Sequence, residues 1–341
     1  MPGSKVAVVI LNWNGKRFLE KFLPYLISCN SAKAEIIVAD NASSDDSLDF
    51  LQKKYPGILV IKNNENTGFA KGYNIALSQV DAEYYVLLNS DIEVTENWIE
   101  PVISLMDNDK DIAACQPKIR SYNEREKFEY AGAAGGFIDK YGYPFCQGRI
   151  FQELEVDKGQ YEDVKEVFWA TGACLFVRAE LYRKYGGLDD DFFAHMEEID
   201  FCWRMKNAGY KIMYCPRSVI YHVGGGTLPK KNPKKTYLNF RNNFILLYKN
   251  LPSSQLLKVF VLRLFLDGIA ALKFLFEGHL RDFFAVMHAH FAFYFTFGKH
   301  RKKRKMIRQK KISGVYQRAI VFEHYLKKKK TFDQLNPADF S

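Results

Sequence analysis

None of the apolar runs in this 341-residue chain reaches the roughly 20 uncharged residues that a bilayer-crossing helix requires. Leu256 to Phe276 is interrupted by Lys258, Arg263, Asp267 and Lys273, and the uncharged stretch from Phe283 to Gly298 is too short. The opening is not that of a signal peptide either, because Lys5 is followed at once by Val6-Ala7-Val8-Val9-Ile10-Leu11, a first strand with no cleavage site behind it. The six cysteines (Cys29, Cys115, Cys146, Cys174, Cys202, Cys215) form no Cys-x-x-Cys pair, which argues against a zinc site and a disulfide framework and fits a reducing cytoplasm. No nucleic-acid recognition motif accompanies the basic residues, so their partner is not expected to be RNA or DNA.

What is present is ample apolar material, 48% of the chain, enough for one large core. A net charge of +10, most of it toward the C-terminus, calls for an anionic partner. The first strand ends in Asn12-Trp13-Asn14-Gly15, and Arg17 to Ser28 follows with apolar residues at helical spacing. Glu35 to Ala39 and Asp40-Asn41 repeat the unit before a helix over Leu48 to Tyr55, and Ile58 to Ile61 makes a third strand. This alternation predicts an α/β fold with a mainly parallel sheet, its tips at Asn12, Asp40 and Asp91 facing one edge.

Tyr84 to Leu88 is the central strand, and it stops on Asn89-Ser90-Asp91. A carboxylate at the carboxyl end of a buried strand lies where open α/β sheets bind ligands, and it suits Mg²⁺ or Mn²⁺ on a diphosphate. Capping of a helix from Glu96 onward is the alternative. The stretch Asn63 to Asn74, with Asn66, Gly68, Lys71, Gly72 and Asn74, reads as a loop before a helix over Ile75 to Gln79, suited to close backbone approach by phosphate. It matches neither G-x-G-x-x-G nor G-x-x-x-x-G-K-[ST], which disfavours dinucleotide and phosphate-loop enzymes.

Farther on, Phe192 to Arg204 is acidic and aromatic. Glu197, Asp200 and Arg204 share one helical face, a pattern open to a plain salt-bridged surface, whereas Glu198 points elsewhere. A carboxylate beside aromatic neighbours is a candidate general base, since burial raises its pKa. His222, at a strand end before Gly224-Gly225-Gly226, is either a structural histidine or a metal ligand.

Taken in order, Val8 to Gly15, Asp40 to Asp45, Asn66 to Asn74, Leu88-Asn89-Ser90-Asp91 and Phe192 to Arg204 resemble the family 2 glycosyltransferases of GT-A fold, in particular bacterial rhamnosyltransferase-like enzymes. The resemblance covers about Val6 to Gly226. It implies a nucleotide-sugar donor held by Asn12, Trp13, Asn14, Asp40, Asn41, Asn66, Gly68, Lys71, Gly72, Asn74 and Asn89. Asp91 is then the ligand of Mg²⁺ or Mn²⁺, with His222 completing its shell. The catalytic base falls in the acidic pair and maps onto Glu198, with Glu197 as the other candidate. Two positions depart from the family pattern: Asn89 replaces the first Asp of Asp-x-Asp, and Glu197-Glu198 replaces Glu-Asp. The implied reaction is inverting transfer from a dTDP-rhamnose or UDP-sugar type of donor to a glycan or lipid-linked acceptor in cell-surface polysaccharide synthesis. A nucleotidyltransferase and a silent nucleotide-sugar or glycan-binding protein are the alternatives.

Residues 1–235 are expected to form the transferase domain and 236–341 a helical, membrane-associating extension. Leu256 to Phe276 reads as an amphipathic helix with its charges on one side. With Lys299 to Lys305 behind it, an anionic membrane surface is the expected contact, on the inner face of the cytoplasmic membrane.

Overall fold

The structure is a computed structural model that describes residues 4–30, 34–224 and 232–341; Gly225 and Gly226 of the motif after His222 lie outside them. Four parallel strands form its centre: β1 (Ser4–Asn12), β2 (Ala34–Asp40), β3 (Leu59–Lys62) and β4 (Ala82–Asn89), in spatial order β3-β2-β1-β4. Their crossovers contain α1 (Lys16–Ser28), α2 (Ser47–Lys54) and α3 (Gly68–Leu77). Val8, Val86 and Leu87 are fully buried, as expected of strands covered on both faces.

After β5 (Ile92–Val94), α4 (Glu100–Asn108) and β6 (Ile112–Ser121), four short strands follow: β7 (Gly136–Asp139), β8 (Pro144–Cys146), β9 (Arg149–Ile150) and β10 (Glu153–Leu154). Then come β11 (Lys165–Glu166), β12 (Cys174–Arg178), α5 (Ala179–Lys184), α6 (Glu197–Ala208) and β13 (Lys211–His222). The C-terminal part is α7 (Pro233–Asn250), α8 (Ser253–Phe276), α9 (Leu280–Phe295), α10 (Phe297–Lys305), β14 (Val315–Tyr316) and α11 (Ile320–Tyr325). Among the described residues the main sheet has nine strands, β11-β13-β6-β12-β4-β1-β2-β3 with β5 added on β13, and β7 to β10 pair with β14 in a second sheet.

One core cluster joins Ala7, Tyr85 and Leu175 of the sheet to Phe244, Leu247, Phe293, Tyr316 and Phe332 of the C-terminal part. The core therefore continues across the 235/236 boundary, which falls within the first turn of α7.

Several expectations change. Asp91 does not cap a helix, because a strand follows it and the next helix starts only at Glu100. The stretch read as a loop up to Asn74 is helical from Gly68, so Lys71, Gly72 and Asn74 lie on α3. Glu197 and Asp200 are buried, and not part of a solvated face. In α8 the charges Arg263 and Asp267 are buried while Leu257, Phe265 and Phe276 are exposed, the reverse of an ordinary amphipathic helix. The basic run is also divided: Lys299 pairs with Asp191, and Lys303 with Asp189 and Asp191.

Candidate active site

Strand register brings the polar tips together. Asn12 is opposite Asp40, and Leu11 is opposite Asn89. Asn12 donates from its amide to Asp40 Oδ1 at 3.1 Å and to Ser43 Oγ at 3.1 Å, while Ser43 N donates to Asp40 Oδ2 at 3.0 Å. Asn14 accepts from Ser44 N at 2.7 Å. Trp13, Asn14, Asn66 and Lys71 face solvent.

Two of the expected donor ligands are used by the fold. Asn41 donates to Asn66 Oδ1 at 3.0 Å and Gly68 O at 3.1 Å and accepts from Asn63 at 3.0 Å, and a Cβ on Gly72 would press on that amide at 3.2 Å. Asn74 donates to Leu188 O and Asp190 Oδ1 at 2.7 and 2.6 Å and accepts from Tyr182 Oη at 2.6 Å. The start of α3 is not an open phosphate site either. Gly68 N donates to Asn66 Oδ1 at 3.0 Å and Phe69 N to Phe193 O at 2.6 Å, which satisfies the amides that would otherwise face an anion. Gly68 has φ +81°, and a Cβ there would meet the Phe193 ring at 2.6 Å, so glycine is required for this contact.

Asp91 is buried between β4 and β5, and the antiparallel pairing of Ile92 with His222 sets the two side chains together. Asp91 Oδ1 lies 3.1 Å from His222 Nε2, and His222 Nδ1 lies 3.1 Å from Glu129 Oε2. Burial alone would lower the imidazole pKa, but the carboxylates of Glu129 and Asp91 outweigh it and hold His222 well above its usual range. For Asp91 burial works upward, and the His222 cation with its hydrogen bond holds the carboxyl below the ordinary value. Among the described residues no three His, Cys, Asp or Glu side chains converge to hold a metal by themselves. The pair fits a divalent ion that displaces the proton from His222, since one carboxylate and one neutral imidazole leave most of the shell to diphosphate and water. Glu129, which also accepts from Ala131 N at 2.5 Å, lies behind the imidazole, where a carboxylate can orient such a ligand.

Glu198 is reached from the same tip. Asn89 N donates to Ala173 O at 2.9 Å. The preceding Gly172 is packed so tightly that a Cβ would contact the Phe69 ring at 3.1 Å and Glu198 Cβ at 3.7 Å. Burial pushes the Glu198 carboxyl up to about 7, against hydrogen bonds from backbone amides including that of Gly172. Burial and then the neighbouring Glu198 hold Glu197 well above the carboxylate range. Each keeps one buried carboxyl oxygen, Oε2, without a hydrogen-bond partner. Glu197 is 4% exposed, and Glu198 is the less enclosed residue of the two.

The sequence profile of "Glycosyl transferase family 2" matches residues 7–186, more than half of the chain. The protein belongs to that family. It is a glycosyltransferase, working with a nucleotide-sugar donor in glycan synthesis. It is 23% identical over 253 residues to the low-salt glycan biosynthesis hexosyltransferase Agl10 of Haloferax volcanii, covering 70% of this chain and 74% of the relative. It is also 23% identical over 233 residues to the N-acetylglucosaminyl-diphospho-decaprenol L-rhamnosyltransferase of Mycobacterium tuberculosis, covering 63% of this chain and 75% of that one. Among solved structures, GalNAc-T7 with UDP, GalNAc and Mn²⁺ superposes with a TM-score of 0.58 at 19% identity, over 73% of this chain and about half (48%) of that chain. The GT-A architecture is thereby the fold of this transferase.

The transferase's C-terminal helices hold the segment that leads into Glu197-Glu198. Phe193, His195 and Met196 have φ of 62°, 70° and 73°, and such strain persists only where the surroundings impose it. Here α7 imposes it: Asn242 donates to the carbonyls of Phe192, Ala194 and His195 at 3.0, 2.9 and 2.7 Å, and Arg241 to those of Asp191 and Phe192 at 2.8 and 3.2 Å. Lys249 pairs with Asp189 and, at 2.8 Å, with Asp200, which also binds Arg204 at 2.8 Å. Arg241, Asn242, Lys249 and Glu129 escaped the sequence reading. The polar Arg241-Asn242-Asn243 between Phe240 and the apolar run Phe244 to Leu247 was the signal for the first two; Glu129 had none.

Proposed function

We propose that this transferase moves a hexosyl group, from a donor of the dTDP-rhamnose or UDP-sugar type, to a hydroxyl of a lipid-linked or glycan acceptor, with inversion and with Glu198 as base. The observation that carries this is a partly buried Glu198 with a free carboxyl oxygen and a pKa near 7, packed beside the strand tip that bears Asn89 and Asp91. Glu198 accepts the acceptor's proton as the acceptor oxygen bonds to the anomeric carbon. The bond from that carbon to the diphosphate breaks, and its electron pair departs with the nucleoside diphosphate. Asp91 and His222 would hold Mg²⁺ or Mn²⁺, which when bound supplies positive charge to the leaving diphosphate. The Mn²⁺ named with GalNAc-T7 supports this metal, and the decaprenol-linked acceptor named for the mycobacterial relative supports a lipid-linked one. Residues 1–235 carry the chemistry in this reading, and 236–341 set the enzyme at the inner face of the cytoplasmic membrane, with Arg301, Lys302 and Lys305 toward anionic lipid. No described helix is long and apolar enough to cross a membrane.

Kinetics and calorimetry on single variants test the assignment. Glu198→Gln is expected to lower kcat by roughly 10²–10⁴-fold with donor affinity kept, while Glu197→Gln retains most turnover. Because the base acts ionised, kcat/KM of the wild type should fall as pH drops below about 7. Full turnover in Glu198→Gln removes the residue from this role.

A further inference from the structure

The polar side of α8 faces the protein. Arg263 Nη2 and Asp267 Oδ1 are 3.1 Å apart and buried; Arg263 lies over the Tyr143 ring at 4.0 Å and donates to Tyr141 O at 3.3 Å, and His290 of α9 is 3.4 Å from Asp267 Oδ2. The opposite side of α8 is an exposed stripe of Leu257, Val261, Phe265, Leu272 and Phe276, the last 86% exposed. Their spacing keeps them on one face of the helix. A matching stripe on α9 has Leu280, Phe284, Met287, Phe291 and Phe295, the last 88% exposed. Scattered apolar residues on a surface need no cause, but a continuous face of this kind marks an interaction site.

Charge decides what covers it. From Ser253 to Lys305, Lys and Arg outnumber Asp and Glu ten to three. Of the acids, Asp267 is buried in its ion pair, and Asp282 accepts from the Thr236 hydroxyl at 2.5 Å. The third, Glu277, lies 3.8 Å from Lys273, which leaves exposed Lys258 and Arg281 on the two helices and exposed Arg301, Lys302 and Lys305 on the α10 that follows. A second copy placed face to face would set positive rim against positive rim. A bilayer with anionic headgroups complements both the apolar stripe and its rim. We propose that the α8–α9 hairpin lies in the plane of an anionic membrane with these two stripes in the outer acyl region and the basic rim among the headgroups. Ionisable side chains turned inward and apolar ones outward are the arrangement that lipid contact favours. The proposal deepens the transferase reading, by placing the enzyme where a lipid-linked acceptor is found, but its geometry is independent of the chemistry.

Flotation of the full chain tests it, using vesicles of about three parts phosphatidylcholine to one part phosphatidylglycerol, in about 0.1 M and about 1 M salt. The wild type should float at both, because screening weakens charge contacts and not apolar burial. The triple variant Phe265→Ser/Phe276→Ser/Phe295→Ser should lose at least about tenfold in partition, while its unfolding temperature and donor hydrolysis stay as in the wild type. In a second measurement, Phe276→Trp should be quenched by brominated lipid. Binding abolished by high salt, a triple variant that floats like the wild type, or an unquenched Trp would overturn insertion. So would a vesicle-free dimer that the triple variant converts to monomer. Flotation of Glu198→Gln separates the two readings: it should float like the wild type even if the transfer chemistry proves wrong.

Discussion

At the scale of single residues the site rests on groups whose ordinary ionisation has been displaced. Two adjacent carboxyls are both raised, Glu198 to about 7 by burial and Glu197 well above the carboxylate range by burial and then by the neighbouring Glu198 charge, since a charge in a dry place is unfavourable. Glu197 is the more enclosed of the two, and Glu198 is the one whose carboxyl is placed near neutral pH. At the proposed metal site, His222 stands between Asp91 and Glu129. If Glu129 orients the imidazole, Glu129→Gln weakens Mn²⁺ binding by roughly ten- to a hundredfold. Calorimetric titration of Mn²⁺ in the presence of UDP measures this, and an unchanged affinity would leave Glu129 a purely structural anion.

Among the elements, the decisive one is the strained segment from Asp189 into α6. It is gripped from outside by α7 and α10, through Asn242, Lys249, Lys299 and Lys303, and it closes over the start of α3 through Phe193. Asn242→Ala leaves the partly buried carbonyls of Ala194 and His195 without this donor, while Phe192 O keeps Arg241, so denaturant unfolding should register a loss of about 1–3 kcal/mol. Turnover should fall as well, since the backbone ahead of Glu198 loses its support, with donor affinity little altered. A variant of wild-type stability and turnover would show that the segment keeps its shape unaided.

Over the whole molecule, the helical C-terminal part and the sheet share one core. Phe244 of α7 packs edge-on against Phe260 of α8, and Phe137 and Phe145 of the second sheet touch Phe332 and Phe340. Truncation after Asn250 would expose that interior, and it would leave Asp189 and Asp191 without Lys303. The expected product is insoluble or lacks a cooperative thermal transition, as scanning calorimetry on the truncated chain would reveal. A soluble, cooperatively folding fragment that still binds nucleotide would show that the boundary near 235 separates independent units.

The sequence by itself determined the parallel βα units, the strand tips at Asn12, Asp40 and Asp91, and the acidic pair before α6. Each depends on local patterns, namely apolar runs, helical spacing and polar stops. Tertiary structure decided what local pattern cannot encode. Helical spacing puts Glu197 and Glu198 on different faces, but how far each is enclosed came only from the fold. That Asn41 and Asn74 also hold the fold together through their own hydrogen bonds is visible only in three dimensions. Glu129 has no local signature, because its partner is 93 residues away in the numbering of the chain. In α8 the same hydrophobic period is consistent with either face turned inward, and the choice came from where Arg263 and Asp267 found partners: the hydroxyl-bearing ring of Tyr143, the Tyr141 carbonyl and His290. A buried charge must be paired, and those partners exist only on the protein side.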